Sequence, residues 1–142
     1  MIKEFQGEFR WLSNFASCKI NFEGFVFEST ENAYQAAKCK YKEDMEQFVT
    51  LTPGNAKRRA KKIAIREDWD NVKLQIMEEL LVQKFNQEPF KTNLINTGDE
   101  FIQEGNTWND VFWGVNIKTG FGENNLGKLI MKIREGINAE RK

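Results

Sequence analysis

The sequence predicts a compact single domain of the α+β class, mostly helical with a few short N-terminal and central strands. Segments with strand character are short and cluster near the N-terminus, whereas segments with helical spacing of apolar residues follow one another later in the chain. The 142 residues suit one hydrophobic core, and 12 Phe and 4 Trp can fill it. We therefore expect one domain over residues 1–142.

The N-terminal segments are predicted to form strands. Residues 3–6 are expected to be a short strand. Residues 19–22 and 25–28 are rich in aromatic and β-branched side chains and flank Glu23 and Gly24. Because two-residue turns with glycine match the twist of paired strands, these two segments predict a hairpin.

Helices are predicted to follow, and all but the one over 43–50 have a recognisable start. Ser29 or Thr30 can cap a helix over about 30–42. The later helices are predicted over 43–50, over 53–65 after Thr52 and Pro53, over 69–86 after Asp68, and from Pro89 to Thr97 and Gly98.

The last third of the chain alternates between loop and short regular segments. A strand is predicted over 100–104, and a loop over 105–125 contains a short strand around 111–115. Asn124 or Asn125 is expected to cap the last helix.

Composition limits the available chemistry. The chain has no histidine, which excludes Ser-His-Asp and Cys-His activation of a nucleophile and the usual histidine ligands of zinc. An enzyme with this sequence relies on carboxylates, lysines, tyrosines and backbone groups. Lys+Arg and Asp+Glu are 21 each, so no net charge attracts the chain to nucleic acid or to an anionic membrane.

The cellular setting is predicted from cysteines and from apolar runs. Cys18 and Cys39 form no Cys-x-x-Cys pair, so two buried reduced thiols are expected. The sequence has no apolar run long enough to span a bilayer and no signal peptide pattern after Met1. We expect a cytoplasmic protein without a membrane partner.

The helix predicted over 30–42 carries the first candidate site. At about 100° per residue, Glu31, Gln35, Lys38 and Lys42 share one face and Tyr34 lies at its edge. Such a face can hold a small polar substrate. An acidic residue in the first turn also commonly serves only to stabilise the helix N-terminus. From Glu31 alone, this structural role is favoured over a role in binding. Gln35 and Lys38 on the same face make the preference for a purely structural role of Glu31 smaller.

Two loops offer further candidates. Ser13 and Asn14 can present hydroxyl, amide and backbone groups to a ligand, although their spacing favours a simple turn. Asp110 lies between Trp108 and Trp113 in a polar loop, and aromatic rings beside a carboxylate can grip a heterocycle joined to a sugar. Trp113 can equally close the core beneath the loop.

Basic residues form two more candidate features. The segment 57–62 can bind phosphate, but solvated helix faces have the same pattern and are favoured. Lys73 and Lys84 fall inside the apolar face of their helix. Each lysine side chain either extends to solvent or points into a cavity that holds an anion, and the residue spacing fits both orientations equally well.

Motifs in a fixed order extend from about Phe5 to Arg134. They are Leu12-Ser13-Asn14-Phe15, Ser29-x-Glu31-x-x-Tyr34-Gln35-Ala36-x-Lys38, Trp69 with Met77 and Lys84-Phe85, Thr97-Gly98 with Glu104, Asp110-x-x-Trp113-Gly114, and Asn125-x-Gly127-x-x-x-Met131-x-x-Arg134. Through these motifs the chain resembles the NADAR family, also called YbiA-like.

The resemblance implies an N-glycosidase. Its expected substrates are small phosphoribosyl compounds, namely the aminopyrimidine intermediates of riboflavin synthesis, or ADP-ribosyl groups on modified bases, including those of nucleic acid. No metal or redox cofactor is implied. A non-catalytic module that binds ADP-ribose or a nucleotide is the alternative, and a nucleic-acid-binding protein that uses the basic segment 57–62 is a third possibility.

The resemblance also implies roles for individual residues. Glu31, Asp110 and Trp113 are the expected catalytic residues. Glu31 would orient water, Asp110 would assist protonation or hold a ribose hydroxyl, and Trp113 would stack on the base. The expected substrate-binding residues are Arg10, Ser13, Asn14, Tyr34, Gln35, Lys38, Lys84, Glu104 and Asn125.

One departure from the family pattern follows Gly114. Val115 and Asn116 stand where some members have Asp-Gly. The resemblance therefore indicates the reaction class more firmly than it indicates the substrate.

Overall fold

The computed structural model describes residues 1–141. Its helices and strands confirm the predicted α+β class, with helices predominating over short strands. Backbone contacts divide the chain into two units, which we call the central unit (14–84) and the terminal unit (1–13 with residues from 85 onward). The elements are β1 (Ser17–Phe22), β2 (Phe25–Ser29), α1 (Thr30–Ala37), α2 (Pro53–Arg59), α3 (Trp69–Phe85), α4 (Phe90–Asn96), β3 (Gly105–Asn106), β4 (Val115–Asn116) and α5 (Asn125–Glu140).

The predicted N-terminal hairpin is confirmed in the central unit. Strands β1 and β2 pair antiparallel, with Ile20 opposite Phe27. Both residues of the turn have positive φ, 52° at Glu23 and 86° at Gly24, as the tight hairpin turn requires. Ile20 and Phe27 are fully buried, so one face of the hairpin contributes to the core.

Helix α1 begins where the sequence predicts. The side chain of Ser29 accepts a hydrogen bond from the backbone N–H of Asn32 at 3.0 Å, which is an N-cap contact. Every residue of α1 is buried. Small side chains at Ala33, Ala36 and Ala37 let β1, β2 and α2 pack around the helix.

The predicted extent of this helix, to residue 42, is wrong. Helix α1 ends at Ala37 because the chain then extends to pair with a distant segment. Cys39 forms an antiparallel bridge with Ile65, and Lys40 N–H donates to the carbonyl of Ala64 at 2.9 Å. Lys42 therefore does not share a helix face with Glu31.

The helix predicted over 43–50 is replaced by two 3₁₀ turns, Lys42–Asp44 and Glu46–Val49. Asn32 fixes this segment. Its buried side-chain nitrogen donates to the carbonyls of Phe48 at 2.8 Å and Leu51 at 2.7 Å. A single amide thus satisfies two buried carbonyl groups.

The starts of α2 and α3 agree with the sequence. Thr52 caps α2 by accepting from the N–H of Asn55 at 3.3 Å, and the last turn of the predicted helix tightens to a 3₁₀ turn over Ala60–Lys62. Helix α3 matches its prediction within one residue. The carboxylate of Asp68 pairs with Arg66, while its backbone carbonyl accepts the first helical N–H groups.

In the terminal unit, α4 ends at the predicted position, where Gly98 has a φ of +63°. The strands predicted over 3–6 and 100–104 are wrong. Ile2 and Ile102 form only an isolated parallel bridge, because the chain after Ile2 soon bends into the 3₁₀ turn Gly7–Leu12.

The short strand predicted around 111–115 is displaced. The observed strand β4 pairs parallel with β3 and begins only at Val115, because residues 110–113 form a turn. Helix α5 follows its predicted cap residue Asn124, which has a φ of 54° and makes no side-chain capping bond. No helix within residues 1–141 has the length and apolar character needed to cross a bilayer.

Replacement of Asn32 by Asp should destabilise the protein by about 2–4 kcal/mol, because a carboxylate oxygen would face two carbonyl oxygens and both donated hydrogen bonds would be lost. Urea unfolding measures this change. Asn71→Asp, on the exposed face of α3, is the control and should change stability little. Equal stability of the two variants would contradict the role of Asn32.

Candidate functional site

Glu31 is the buried carboxylate of α1. Glu31 is only 7% exposed and lies in the first turn of the helix. Gln35 donates a hydrogen bond from Nε2 to Glu31 Oε1 at 2.9 Å, and the backbone N–H of Glu31 donates to the carbonyl of Asn14 at 3.0 Å. A buried carboxylate is costly unless it is hydrogen-bonded, so Gln35 both stabilises and orients it.

Lys38 lies at the other end of α1 against two aromatic rings. Its Nζ is 5.2 Å from the ring centre of Tyr34 and 6.0 Å from that of Trp69, and the two rings are 5.2 Å apart. Burial lowers the pKa of Lys38, and the carboxylate of Glu31 opposes that shift. The structure thus places a cation, two rings and a carboxylate within the central unit.

Two amide oxygens near Glu31 lack hydrogen-bond partners. Among residues 1–141, Oδ1 of Asn14 and Oε1 of Gln35 are buried without one. The nitrogen of the Asn14 side chain faces the sulfur of Met77 at 3.7 Å. We call Asn14, Glu31, Gln35 and Lys38 the Glu31 cluster. It brings together four predicted site residues.

Lys84 lies inside α3 with its side chain fully buried, so extension of Lys84 to solvent is wrong. Burial lowers its pKa to about 8, against an opposing effect of Cys18. Burial also raises the pKa of the Cys18 thiol, whose sulfur is 3.9 Å from the hydroxyl of Thr30. Lys73, by contrast, is partly exposed and pairs with Asp70 at 3.3 Å. Phosphate binding by Lys84 stays a prediction.

The terminal unit holds the remaining acidic site residues in a frame built around Asn106. The amide nitrogen of Asn106 donates to Glu104 Oε2 at 2.8 Å and to the carbonyl of Asp110 at 2.9 Å, and its oxygen accepts from the Asp110 N–H at 3.0 Å. Asn106 is almost fully buried. No sequence signal distinguishes Asn106 from the other asparagines of this loop.

The carboxylate of Asp110 organises the turn that carries Trp113. Its Oδ1 accepts from the backbone N–H groups of Phe112 at 3.2 Å and Trp113 at 2.9 Å. Asn125 donates from Nδ2 to the carbonyl of Phe112 at 2.9 Å. Asp110 and Asn125 therefore have local structural functions, and their predicted contacts with substrate stay predictions.

Gly114 is required by close packing in the same frame. A Cβ at this position would collide with the carboxylate of Glu104 and with the side-chain amide of Asn106. Asn124 adds two bonds, accepting from the N–H of Glu104 at 2.9 Å and donating to the carbonyl of Ile102 at 3.0 Å. The loop is thus held by buried amides rather than by an extended sheet.

The other predicted residues are less enclosed. Arg10 is exposed and Ser13 is half-buried. The charged side chains of the basic segment 57–62 are exposed, as expected for a solvated helix face. At the position of the family departure, Val115 is buried and Asn116 accepts from the N–H groups that follow it. Within residues 1–141, no group of three or more Cys, Asp or Glu side chains is arranged to hold a metal ion.

Comparison with known proteins identifies the family. The model of the NADAR domain matches residues 2–138. The chain belongs to the NADAR domain family. The resemblance predicted from the ordered motifs is therefore confirmed.

Curated relatives support this membership. The chain is 32% identical over 133 residues to the N-glycosidase YbiA of Escherichia coli, with 91% of this chain and 82% of that protein covered. It is 34% identical over 132 residues to an N-glycosidase of Nostoc punctiforme, with 88% and 83% covered. The solution structure of E. coli YbiA superposes with a TM-score of 0.84 at 28% identity, covering 99% of this chain and 89% of that one.

Replacement of Gly114 by Ala should lower the free energy of unfolding by at least about 2 kcal/mol, because the new methyl group displaces Glu104 and Asn106. Gly136→Ala is the matched control, since Gly136 is exposed in α5 and its added Cβ meets no atom within 4 Å. That variant should gain about 0.5–1 kcal/mol from helix propensity. Thermal or urea unfolding compares the two, and a stable Gly114→Ala protein would refute the packing argument.

The depressed pKa of Lys84 predicts a pH-dependent stability. Between about pH 8 and the ordinary lysine pKa of 10.5, Lys84 is protonated in the unfolded chain but deprotonated in the folded chain. The contribution of Lys84 to the free energy of unfolding therefore rises with pH in this window. Relative to Lys84→Met, wild type should gain up to about 3 kcal/mol across this window and nothing below it. Urea unfolding at pH 7, 9 and 10.5 tests this. Parallel pH profiles would contradict it.

Proposed function

We propose that this NADAR-domain protein is an N-glycosidase that hydrolyses the bond between a ribose carbon and a base nitrogen. The names of its Escherichia coli and Nostoc relatives support the reaction class. A relative from Vibrio vulnificus, 30% identical over 129 residues that cover 35% of its length, is named a riboflavin biosynthesis protein. That name supports phosphoribosyl-aminopyrimidine intermediates as substrates. ADP-ribosylated bases are the second substrate class.

The observation that carries the proposal is the buried, oriented carboxylate of Glu31. Cleavage of an N-glycosidic bond builds positive charge on the sugar ring, as in other glycoside hydrolyses. A carboxylate in a water-poor environment stabilises that charge more strongly than one in solvent. The hydrogen bond from Gln35 holds one oxygen in place without neutralising it.

The proposed reaction has one chemical event at the sugar. The carbon–nitrogen bond breaks, its electron pair stays on the base nitrogen, and the oxygen of a water molecule bonds to the anomeric carbon. Glu31 receives a proton from that water and later releases it to solvent, and the departing nitrogen takes up one proton from solvent, directly or through Asp110. The reaction needs no metal or redox cofactor, so EDTA should leave its rate unchanged.

Other residues position the substrate in this proposal. Lys38 supplies a positive charge for a phosphate, and its packing against two aromatic rings restricts its motion. Asp110 holds its turn through Oδ1, and in this proposal its carboxylate also holds a ribose hydroxyl or assists protonation. Trp113 supplies an aromatic surface for the base.

A non-catalytic module that binds ADP-ribose or a nucleotide is the second candidate. The unpartnered oxygens of Asn14 and Gln35 favour ligand binding whether or not turnover follows. The two candidates differ in what Glu31 does, because a binding module retains its function when the carboxylate loses its charge.

Replacement of Glu31 by Gln should reduce kcat/KM for N-glycoside hydrolysis at least about 100-fold, or roughly 3 kcal/mol of transition-state stabilisation. The substituted amide keeps Oε1 as an acceptor for Gln35, so folding should be retained. Mass spectrometry of released base measures the rate with riboflavin-pathway phosphoribosyl intermediates and ADP-ribosylated DNA.

Glu46→Gln, an exposed substitution in a 3₁₀ turn, is the control and should keep the wild-type rate. A folded Glu31→Gln protein with full activity would refute the assigned role. Binding without turnover by wild type on every substrate would support the binding module.

A further inference from the structure

The surroundings of the two unpartnered atoms in the Glu31 cluster identify both atoms as amide oxygens. Gln35 faces Glu31 Oε1, which is an acceptor when ionised, so the end of the amide that meets it must be the NH₂ group. Oε1 of Gln35 is therefore the end without a partner, on a residue only 3% exposed.

The same reasoning applies to Asn14. Its amide end that faces the sulfur of Met77 at 3.7 Å is the donor, because sulfur is a weak acceptor and a carbonyl oxygen gains nothing there. Oδ1 of Asn14 is left buried without a donor. Buried polar atoms without partners are rare in native proteins, so each such atom indicates a missing group.

The missing groups must be hydrogen-bond donors. Amide oxygens only accept, and an ionised carboxylate also accepts. Asn14 is linked to Glu31 through the backbone hydrogen bond, and Gln35 lies one helical turn further along α1. The cluster therefore contains two buried amide oxygens that accept but have no donor, on residues that are each linked to Glu31.

The charge of the cluster favours a neutral donor over a cation. Lys38 already interacts electrostatically with Glu31. An additional cation would gain less from a carboxylate that is balanced in this way. A sugar hydroxyl is neutral, and its O–H donates while its oxygen can still accept.

We propose that Asn14 and Gln35 accept hydrogen bonds from the two ring hydroxyls of the ribosyl group and thereby select ribosides over deoxyribosides. This inference rests on the proposed function, since it places the sugar of the substrate at Glu31. A vicinal diol supplies one O–H for each amide oxygen. A deoxy sugar leaves one buried oxygen unpaired, and sites built to bind a hydroxyl reject analogues that lack it.

The test compares matched N-glycosides of one base that carry ribose, 2-deoxyribose or 3-deoxyribose. Deoxyribosides hydrolyse at a different intrinsic rate, but that difference cancels when the ratio of kcat/KM for riboside over deoxyriboside is compared between proteins. Gln35→Met and Asn14→Leu remove one acceptor each. Gln75→Met, exposed on α3, is the control.

We expect the ratio for at least one deoxyriboside to fall about tenfold or more in each variant, and to stay unchanged in Gln75→Met. A loss of activity that is equal on all three sugars would overturn the inference, because it would mean that Gln35 only holds Glu31. A ratio unchanged in both variants would overturn it as well, since buried water would then satisfy the oxygens.

Failure of the proposed function is a separate result. If wild type hydrolyses none of these compounds, calorimetric titration with ribose 5-phosphate and 2-deoxyribose 5-phosphate addresses sugar recognition without turnover. A wild-type preference for ribose 5-phosphate that Gln35→Met abolishes would support hydroxyl recognition. Equal affinities for the two sugar phosphates would overturn it. The wild-type comparison does not depend on the folding of any variant.

Discussion

The complete burial of α1 is the constraint on which the central unit depends. Four of its eight residues are polar, namely Thr30, Glu31, Asn32 and Gln35, and a buried polar group without a partner is costly. Asn32 meets this demand with backbone carbonyls of the segment that follows α1. Helix α1 therefore packs against its neighbours and also determines the conformation of the segment that follows it.

The same constraint separates structural from chemical groups along one helix. Asn32 has all its bonds within the protein, whereas Gln35 has only one end satisfied. The satisfied end restrains the carboxylate of Glu31. The unsatisfied end has no structural use in the described chain, which is the reason to assign it to substrate. In α1, some buried polar side chains hold the surrounding structure in place, and others are left to bind substrate.

Much of the fold could be predicted because its determinants are local. The positive φ values at Glu23 and Gly24 and the cap at Ser29 act within a few residues. The end of α1 could not be predicted, since it depends on pairing with residues 64–66. In the candidate site, the helical spacing predicted that Glu31 and Gln35 share a face, and their hydrogen bond agrees with this. Asn106 was missed because its partners become neighbours only after folding.

The amide frame around Asn106 and Asn124 has a consequence for how this protein responds to its medium. Side-chain amides carry no charge and do not titrate near neutral pH, so ionic strength and moderate acidity act weakly on the bonds they make to backbone groups. The charge of Lys38, by contrast, responds to pH, because burial lowers the pKa of this lysine. Changes of buffer should therefore leave these amide bonds in place, whereas the turn that carries Trp113 also depends on the carboxylate of Asp110.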